Sequence, residues 1–326
     1  MRLIGLAVTI AIGMLTAPLV AAPQADKAVK IAILRPAPDG PVFRQMFEPF
    51  RQTLREKGFV EGTNLTIELR VRPASASEML ALARDLVRLK PDAILAISPA
   101  GVSAASQATK SIPIVAIDLE SDPKAAGLVA SLGHPGGNIT GLFLDLPELS
   151  GKWVELLKET VPNLSRIAVV TDRATGPYYV NELGAATKAL RIQLLSVDIG
   201  GAGDLAAAFR SAHAQRAGAL MVLPSPVVNS ARRHIAELAI KHRMPAIMPF
   251  LGFVDDGGLM AYGPDVSVIY EQAAGVVAKV LRGTRPAEIP IERPARFELR
   301  INDKTARALG LTIPPSVLAR ADRVIH

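Results

Sequence analysis

One rhythm, played twice along the chain, constrains the fold more than any other feature. Residues 30–34, 65–71, 92–97 and 112–118 form short runs that are apolar on both sides of the alternation. That is the pattern of parallel strands covered on both faces. Amphipathic stretches separate them. Phe43, Met46, Phe47, Phe50 and Leu54 recur at helical spacing and stop at Gly58, and Met79, Leu80, Ala83, Leu86 and Leu89 repeat the pattern before Pro91. A shorter helix is predicted over 102–109, opened by Gly101. Apolar faces at this spacing need a sheet to cover them.

The second half restates the layout. Strands are predicted at 166–172, 192–199, 218–223 and 245–248, with helices at 177–190, 204–215 and 228–242. Even the loops match. Ile97-Ser98-Pro99 follows the third run of one half, and Leu223-Pro224-Ser225-Pro226 follows that of the other. The fourth runs open on Ile112-Pro113 and Met244-Pro245. The chain therefore reads as α/β, with two doubly wound parallel-sheet lobes facing each other.

The remainder complicates a simple tandem. A short strand at 259–262 and a long Ala/Val helix at 266–281, ended by Gly283, precede an extended run at 297–301. This order predicts re-entry into the first lobe and then the second, a three-crossing hinge. The expected division is 28–140 plus 259–286 for the first lobe and 141–258 plus 287–300 for the second. The tail at 301–326 is assigned to neither. The glycines of 134–141 are expected to form a flexible crossing rather than a phosphate loop. They lack the Gly-x-x-x-x-Gly-Lys-Ser/Thr order.

Composition bounds the function. A chain of 326 residues with 49% hydrophobic and 21% charged residues has apolar surface enough for two cores. Arg2 followed by the apolar stretch 3–20 and Val20-Ala21-Ala22 reads as a cleaved signal peptide over 1–22, an uncleaved anchor being the alternative. There is no cysteine, so the exported protein has no disulfide and no lipid-modified N-terminal Cys. It is expected free in the periplasm, without stable membrane insertion, and as a monomer. The net charge of +7 is partly C-terminal, but Phe297 is the lone aromatic there and the basic residues are spaced singly. Nucleic acid is therefore not expected as a partner.

In open α/β sheets, ligands bind beyond the carboxyl ends of the strands. Ser98, Ala100 and Ser103 lie where a strand turns into a helix start, a place that attracts carboxylates; ordinary capping by serine is the alternative. Asp118 and Asp122 are candidates for a ligand ammonium, although Asp122-Pro123 also suits a turn. Thr171, Pro224 and Ser225 fall in strand-end loops, and Phe250 and Tyr262 are the aromatics placed to face a cleft or to join the core. No catalytic motif emerges. None of the five histidines forms His-Glu-x-x-His, and no Gly-x-Ser-x-Gly elbow occurs. No cofactor is expected.

Several segments resemble the ABC transporter substrate-binding protein family, of the tryptophan or aromatic amino-acid type. They include Gly62-Thr63-Asn64-Leu65-Thr66-Ile67-Glu68-Leu69-Arg70, then Asp122-Pro123, Gly127-Leu128-Val129-Ala130-Ser131-Leu132 and Pro135-Gly136-Gly137-Asn138-Ile139-Thr140-Gly141. Later ones are Tyr262-Gly263-Pro264-Asp265, Ala308-Leu309-Gly310-Leu311-Thr312-Ile313-Pro314 and Ala321-Asp322-Arg323-Val324-Ile325. The resemblance implies a type I periplasmic-binding fold closing on a small ligand, with a membrane permease and an ATPase as partners. It supports Ser98, Ala100, Asp118 and Tyr262 as ligand positions. A sensory module on the same fold is the other reading. The segment 33–42 departs from the family pattern, which often carries His or another polar residue in this loop; here it reads Arg35-Pro36-Ala37-Pro38.

Overall fold

The computed structural model describes residues 28–326 apart from 38, 72–74, 145–146, 174–177 and 295. The expected leader at 1–22 lies outside the described residues. The first lobe begins with β1 (Val29–Arg35), α1 (Pro41–Glu56), β2 (Leu65–Val71), α2 (Ala76–Arg88), β3 (Ala93–Ile97), α3 (Ser98–Ala108), β4 (Ile114–Asp118) and β5 (Ile139–Phe143). The second contains α4 (Pro147–Thr160), β6 (Arg166–Asp172), α5 (Tyr178–Ala189), β7 (Gln193–Ile199), α6 (Leu205–Ala214), β8 (Ala219–Val222), α7 (Pro226–Ser230), α8 (Arg232–Lys241), β9 (Ala246–Met248), α9 (Gly252–Asp255) and β10 (Met260–Pro264). Then come α10 (Val266–Leu281), β11 (Phe297–Asn302), α11 (Asp303–Ala308), α12 (Pro315–Leu318) and β12 (Arg323–Ile325).

The sheets follow one plan. The first has the order β2-β1-β3-β4-β5, and the second runs β7-β6-β8-β9-β10 before adding β11 and β12 at its edge. Strand alternation sorts the core into two layers. Ile31 and Ile33 face Phe43, Phe47, Phe50 and Leu54 of α1 together with Ala273 and Val277 of α10. Ala32 and Leu34 face Met79, Leu82, Ala83 and Leu86 of α2 with Val102 and Ala105 of α3. Both faces are thereby dry, as the uninterrupted apolar runs require.

Each fifth strand hands the chain to the other lobe. After β5 the chain enters α4, which packs on α5 and β9. After β10 it enters α10, which packs on α1, β3, β4 and β5. Asp265 starts that helix, its carboxylate accepting from Ser267 N at 2.8 Å. The third crossing follows Glu292.

These connections move the expected boundaries. The segment 134–141 is not simply a crossing, because Ile139–Phe143 is a strand paired with β4. Gly141 has a φ of +137°, and a Cβ there would lie 2.1 Å from Ala116 O, so it serves close backbone approach. The strand at Met260–Pro264 belongs to the second sheet, paired with β9 and β11, rather than to the first lobe. Re-entry begins at Asp265. Residues 289–292 still belong to the first lobe: Glu292 N donates to Gly141 O at 2.9 Å and Thr140 Oγ1 to Ile289 O at 2.8 Å. The tail lies in the second lobe, where β12 pairs with β11. Strand pairing between distant segments decides all of these placements, and no local pattern carries it.

Gly141→Val should cost more than about 2 kcal/mol in chemical denaturation, through left-handed strain and a backbone clash. Gly137→Val, with open space around its Cβ position, should cost less than about 1 kcal/mol. Equal costs would remove the close-approach account of Gly141.

Candidate ligand-binding cleft

The carboxyl tips of both sheets meet at the cleft, and β1 brings its last residue there. Arg35 ends an apolar strand and is 1% exposed. Its Nη2 crosses to the other lobe, donating to Pro226 O at 3.3 Å and Ser230 Oγ at 3.1 Å, both on α7. The guanidinium also lies 4.8 Å from the centre of the Phe43 ring. Burial pulls the Arg35 guanidinium below its usual range, opposed by Tyr270, Glu120 and Asp39. An arginine stays charged through such a shift. The Tyr270 phenol is pushed up to about 12 by its own burial, so it is neutral.

Of two neighbouring buried acids, Glu120 acts on this cation directly. Asp118 ends β4 and is fully buried, accepting from Glu120 N at 3.0 Å and Ser121 Oγ at 2.5 Å. Burial raises its carboxyl to about 6 in spite of those bonds. Glu120 is 4% exposed, and no donor among the described residues reaches its Oε2. Burial first, then the neighbouring Asp118 charge, hold the Glu120 carboxyl well above the ordinary range, and Asp172 at the tip of β6 adds to the repulsion. Two carboxyls so placed titrate as a pair around a shared proton.

Between the lobes is a cavity with about 30 Å³ of room, the space of one water. Its polar walls are Arg35, Glu120 and Asn229, and its apolar walls include Met46, Ile97, Ile117, Leu119, Phe250 and Val266. A wider vestibule of about 380 Å³ shares Met46, Asn229, Phe250 and Val266 with it and adds Gln45, Arg232 and Asp255. Ion pairs rim this vestibule, Arg232 with Asp256 at 2.7 Å and Arg300 with Asp255 at 3.3 Å. Those ion pairs lie within the second lobe, and the inner space between the lobes is narrow and largely apolar, lined by one guanidinium and one carboxyl.

The residues expected from sequence distribute unevenly. Phe250 lines both spaces, and Asp118 is the buried residue between Ile117 and Leu119, which line the inner cavity. Ser98 is buried with a φ of +72°, and its Oγ accepts from Gly101 N at 3.5 Å, a cap within its own helix. Ala100 is half-buried on the same turn. Ser103 is exposed and its hydroxyl accepts from Gln107 Nε2 at 3.0 Å, away from the cavity. Asp122 forms a turn, accepting from Lys124 N at 2.8 Å and Ala125 N at 3.1 Å. Ser225 caps α7 through Val228 N at 3.1 Å, with Pro224 buried beside it. Thr171 is buried at the tip of β6, and no described residue bonds its Oγ1. Tyr262 packs against the Phe297 ring at 6.3 Å, while its carbonyl accepts from Trp153 Nε1 at 2.7 Å. It lines neither space.

Asn229 and Tyr270 were missed from the sequence, while Arg35 and Glu120 lay in the candidate strand-end loops 35–40 and 118–122 without being singled out. A signal existed for two of them. Arg35 is a charge closing an apolar strand, and Glu120 stands two residues beyond Asp118 in a strand-end loop.

Two lobes of one strand order, tips facing across a shared cavity, define a binding protein of the type I periplasmic-binding fold. A crystal structure of a conserved domain protein from Vibrio cholerae superposes with a TM-score of 0.83 at 29% identity, covering 91% of this chain and all (100%) of that one. The ABC domain from Streptococcus pneumonia, solved in complex with L-Trp, shares the fold with a TM-score of 0.81 at 23% identity over 92% of this chain and 100% of that chain. The ABC transporter substrate binding protein model matches residues 30–325, and the chain belongs to that family. A tyrosine-binding protein of Clostridioides difficile (strain R20291) is 29% identical over 269 residues, 80% of this chain and 75% of that protein.

The carboxyl pair makes stability depend on pH. An acid raised in the folded state contributes fully below its unfolded pKa and loses that contribution as pH climbs through the folded value. Asp118→Asn should therefore gain stability relative to the parent protein as pH rises from about 4 to about 7, by on the order of 1–3 kcal/mol. Parallel melting curves for the two proteins across that range would remove the buried-pair account.

Proposed function

We propose that this chain is the solute-capturing component of an ABC importer, holding a small carboxylate, an amino acid or another organic acid, between its lobes by hinge closure and without catalysis. The observation that carries this reading is Arg35, a buried cation standing in the cleft and touching both lobes. A guanidinium there matches a carboxylate in charge and in its paired donors. Phe250 and the aliphatic wall suit an apolar or aromatic body. The tyrosine-binding relative supports an aromatic amino acid as that body.

A ligand that bonds both lobes favours the closed form by its differential affinity for it. That is the form a membrane permease with its ATPase distinguishes from the open one. The export signal read at 1–22, the cysteine-free chain and the family together support a periplasmic location and a monomeric carrier. No helix among the described residues is long and apolar enough to cross a membrane.

A thermal-shift and calorimetric screen of L-tyrosine, L-tryptophan, L-phenylalanine and simple organic acids tests the reading. A ligand at a hundredfold its Kd stabilises by about 2.7 kcal/mol, which raises the melting temperature by several degrees. Arg35→Met should fold, since an apolar side chain of similar length replaces a buried charge, and should bind the same compound at least about tenfold more weakly. An Arg35→Met variant that binds as tightly as the parent would sink the carboxylate-capture reading.

A further inference from the structure

A buried carboxyl pair is costly unless something compensates it. In the first lobe, Asp118 has compensation from Glu120 N and Ser121 Oγ. Glu120 is compensated on one side only: its carboxyl bonds with the Leu119 backbone and with Asp118, but it lines the inner cavity at 4% exposure and no donor among the described residues reaches Oε2. A carboxyl oxygen left this way marks the place of a donor that arrives from outside.

We propose that Glu120 is the specificity-determining residue of the cleft, its Oε2 accepting a hydrogen bond from a cationic nitrogen on the ligand. The proposal rests on the capture reading and deepens it. Arg35 takes the carboxylate of the bound molecule, and Glu120, on the same cavity wall, takes its ammonium. A molecule with the acid alone leaves Glu120 uncompensated.

At the carboxyl pair the exchange is of one positive charge for another. In the empty cleft the Asp118–Glu120 pair keeps a proton, because both members are buried and repel each other, with Asp172 of β6 facing them from the second lobe. Arg35 on β1 and the neutral Tyr270 phenol on α10 are the other titratable groups facing Glu120. When an ammonium arrives, its N–H donates to Oε2 and the proton of the pair leaves to solvent, so at the pair one positive charge replaces another, while the ligand carboxylate is matched by Arg35. A ligand without the ammonium releases no proton. Affinity for the ammonium-bearing ligand therefore rises with pH up to the range where that ammonium itself titrates.

The test is titration calorimetry on the mature chain with three matched pairs: L-phenylalanine and 3-phenylpropionate, L-tyrosine and 3-(4-hydroxyphenyl)propionate, L-tryptophan and indole-3-propionate. The expected result is at least about tenfold tighter binding of the amino acid in a pair. Heats measured in buffers of different ionisation enthalpy should show proton release with the amino acid alone. Glu120→Gln, which keeps the size of the side chain, should weaken the amino acid by about tenfold or more and leave the des-amino acid within about threefold. The proton-release measurement needs no variant and stands if Glu120→Gln folds poorly. Tighter binding of the des-amino acid, amino-acid binding without proton release, or a Gln variant that keeps the preference overturns the role of Glu120 while carboxylate capture stands. Should none of the six compounds bind the parent protein, the capture reading fails, and this proposal with it.

Discussion

Everything in this molecule depends on an exchange of helices between its lobes. Neither sheet is covered by its own stretch of chain alone. The first is closed by α10, which arrives after the last parallel strand of the second, and the second by α4, which arrives after the last strand of the first. An apolar sheet face left open is strongly unfavourable, so the crossings cannot be undone while the cores are intact. With the lobes tied at one side, the carboxyl ends of both sheets are held towards a common gap, and relative motion is confined to the short connecting segments.

That gap is where the protein departs from the economy of its core. The buried polar residues elsewhere are hydroxyls and amides, whereas the buried charged groups among the described residues, Arg35, Asp118, Glu120 and Asp172, are on strand tips and the loop after β4, with the buried Tyr270 phenol near Arg35 and Glu120. Arg35 finds acceptors on α7 across the cleft, so the two lobes are hydrogen-bonded to one another here. Family membership and the tyrosine-binding relative give the site its context.

Much of the architecture was legible in the sequence because burial on both faces leaves uninterrupted apolar runs. The bounds expected for β2, β6 and α10 coincide with the observed ones. The region 228–242 was read as one helix and is two, α7 and α8, parted at Ala231. β5 was hidden by the glycine-rich stretch leading into it, since Gly141 weakens a strand pattern and yet is demanded by contact with Ala116. The lobe of β10 was illegible, because pairing with β9 and β11 is a long-range outcome. Among site residues, Phe250 was readable as an aromatic at a strand tip. Glu120 was readable only as a member of the strand-end loop after Asp118; the missing donor at its Oε2 is a matter of packing. Tyr262 carried the same local signature as Phe250 but turns to Phe297 instead.

Hinge closure over a shared gap is the central claim, and distance measurement across the vestibule tests it most directly. The chain has no cysteine, so Glu48→Cys at an exposed position of α1 and Arg233→Cys at an exposed position of α8 accept a spin or fluorophore pair without background. The distance distribution should contain a longer, open population in the free protein. It should collapse to a single shorter distance when an aromatic amino acid that binds in calorimetry is added. One unchanged distance, with and without a ligand that demonstrably binds, would contradict the account.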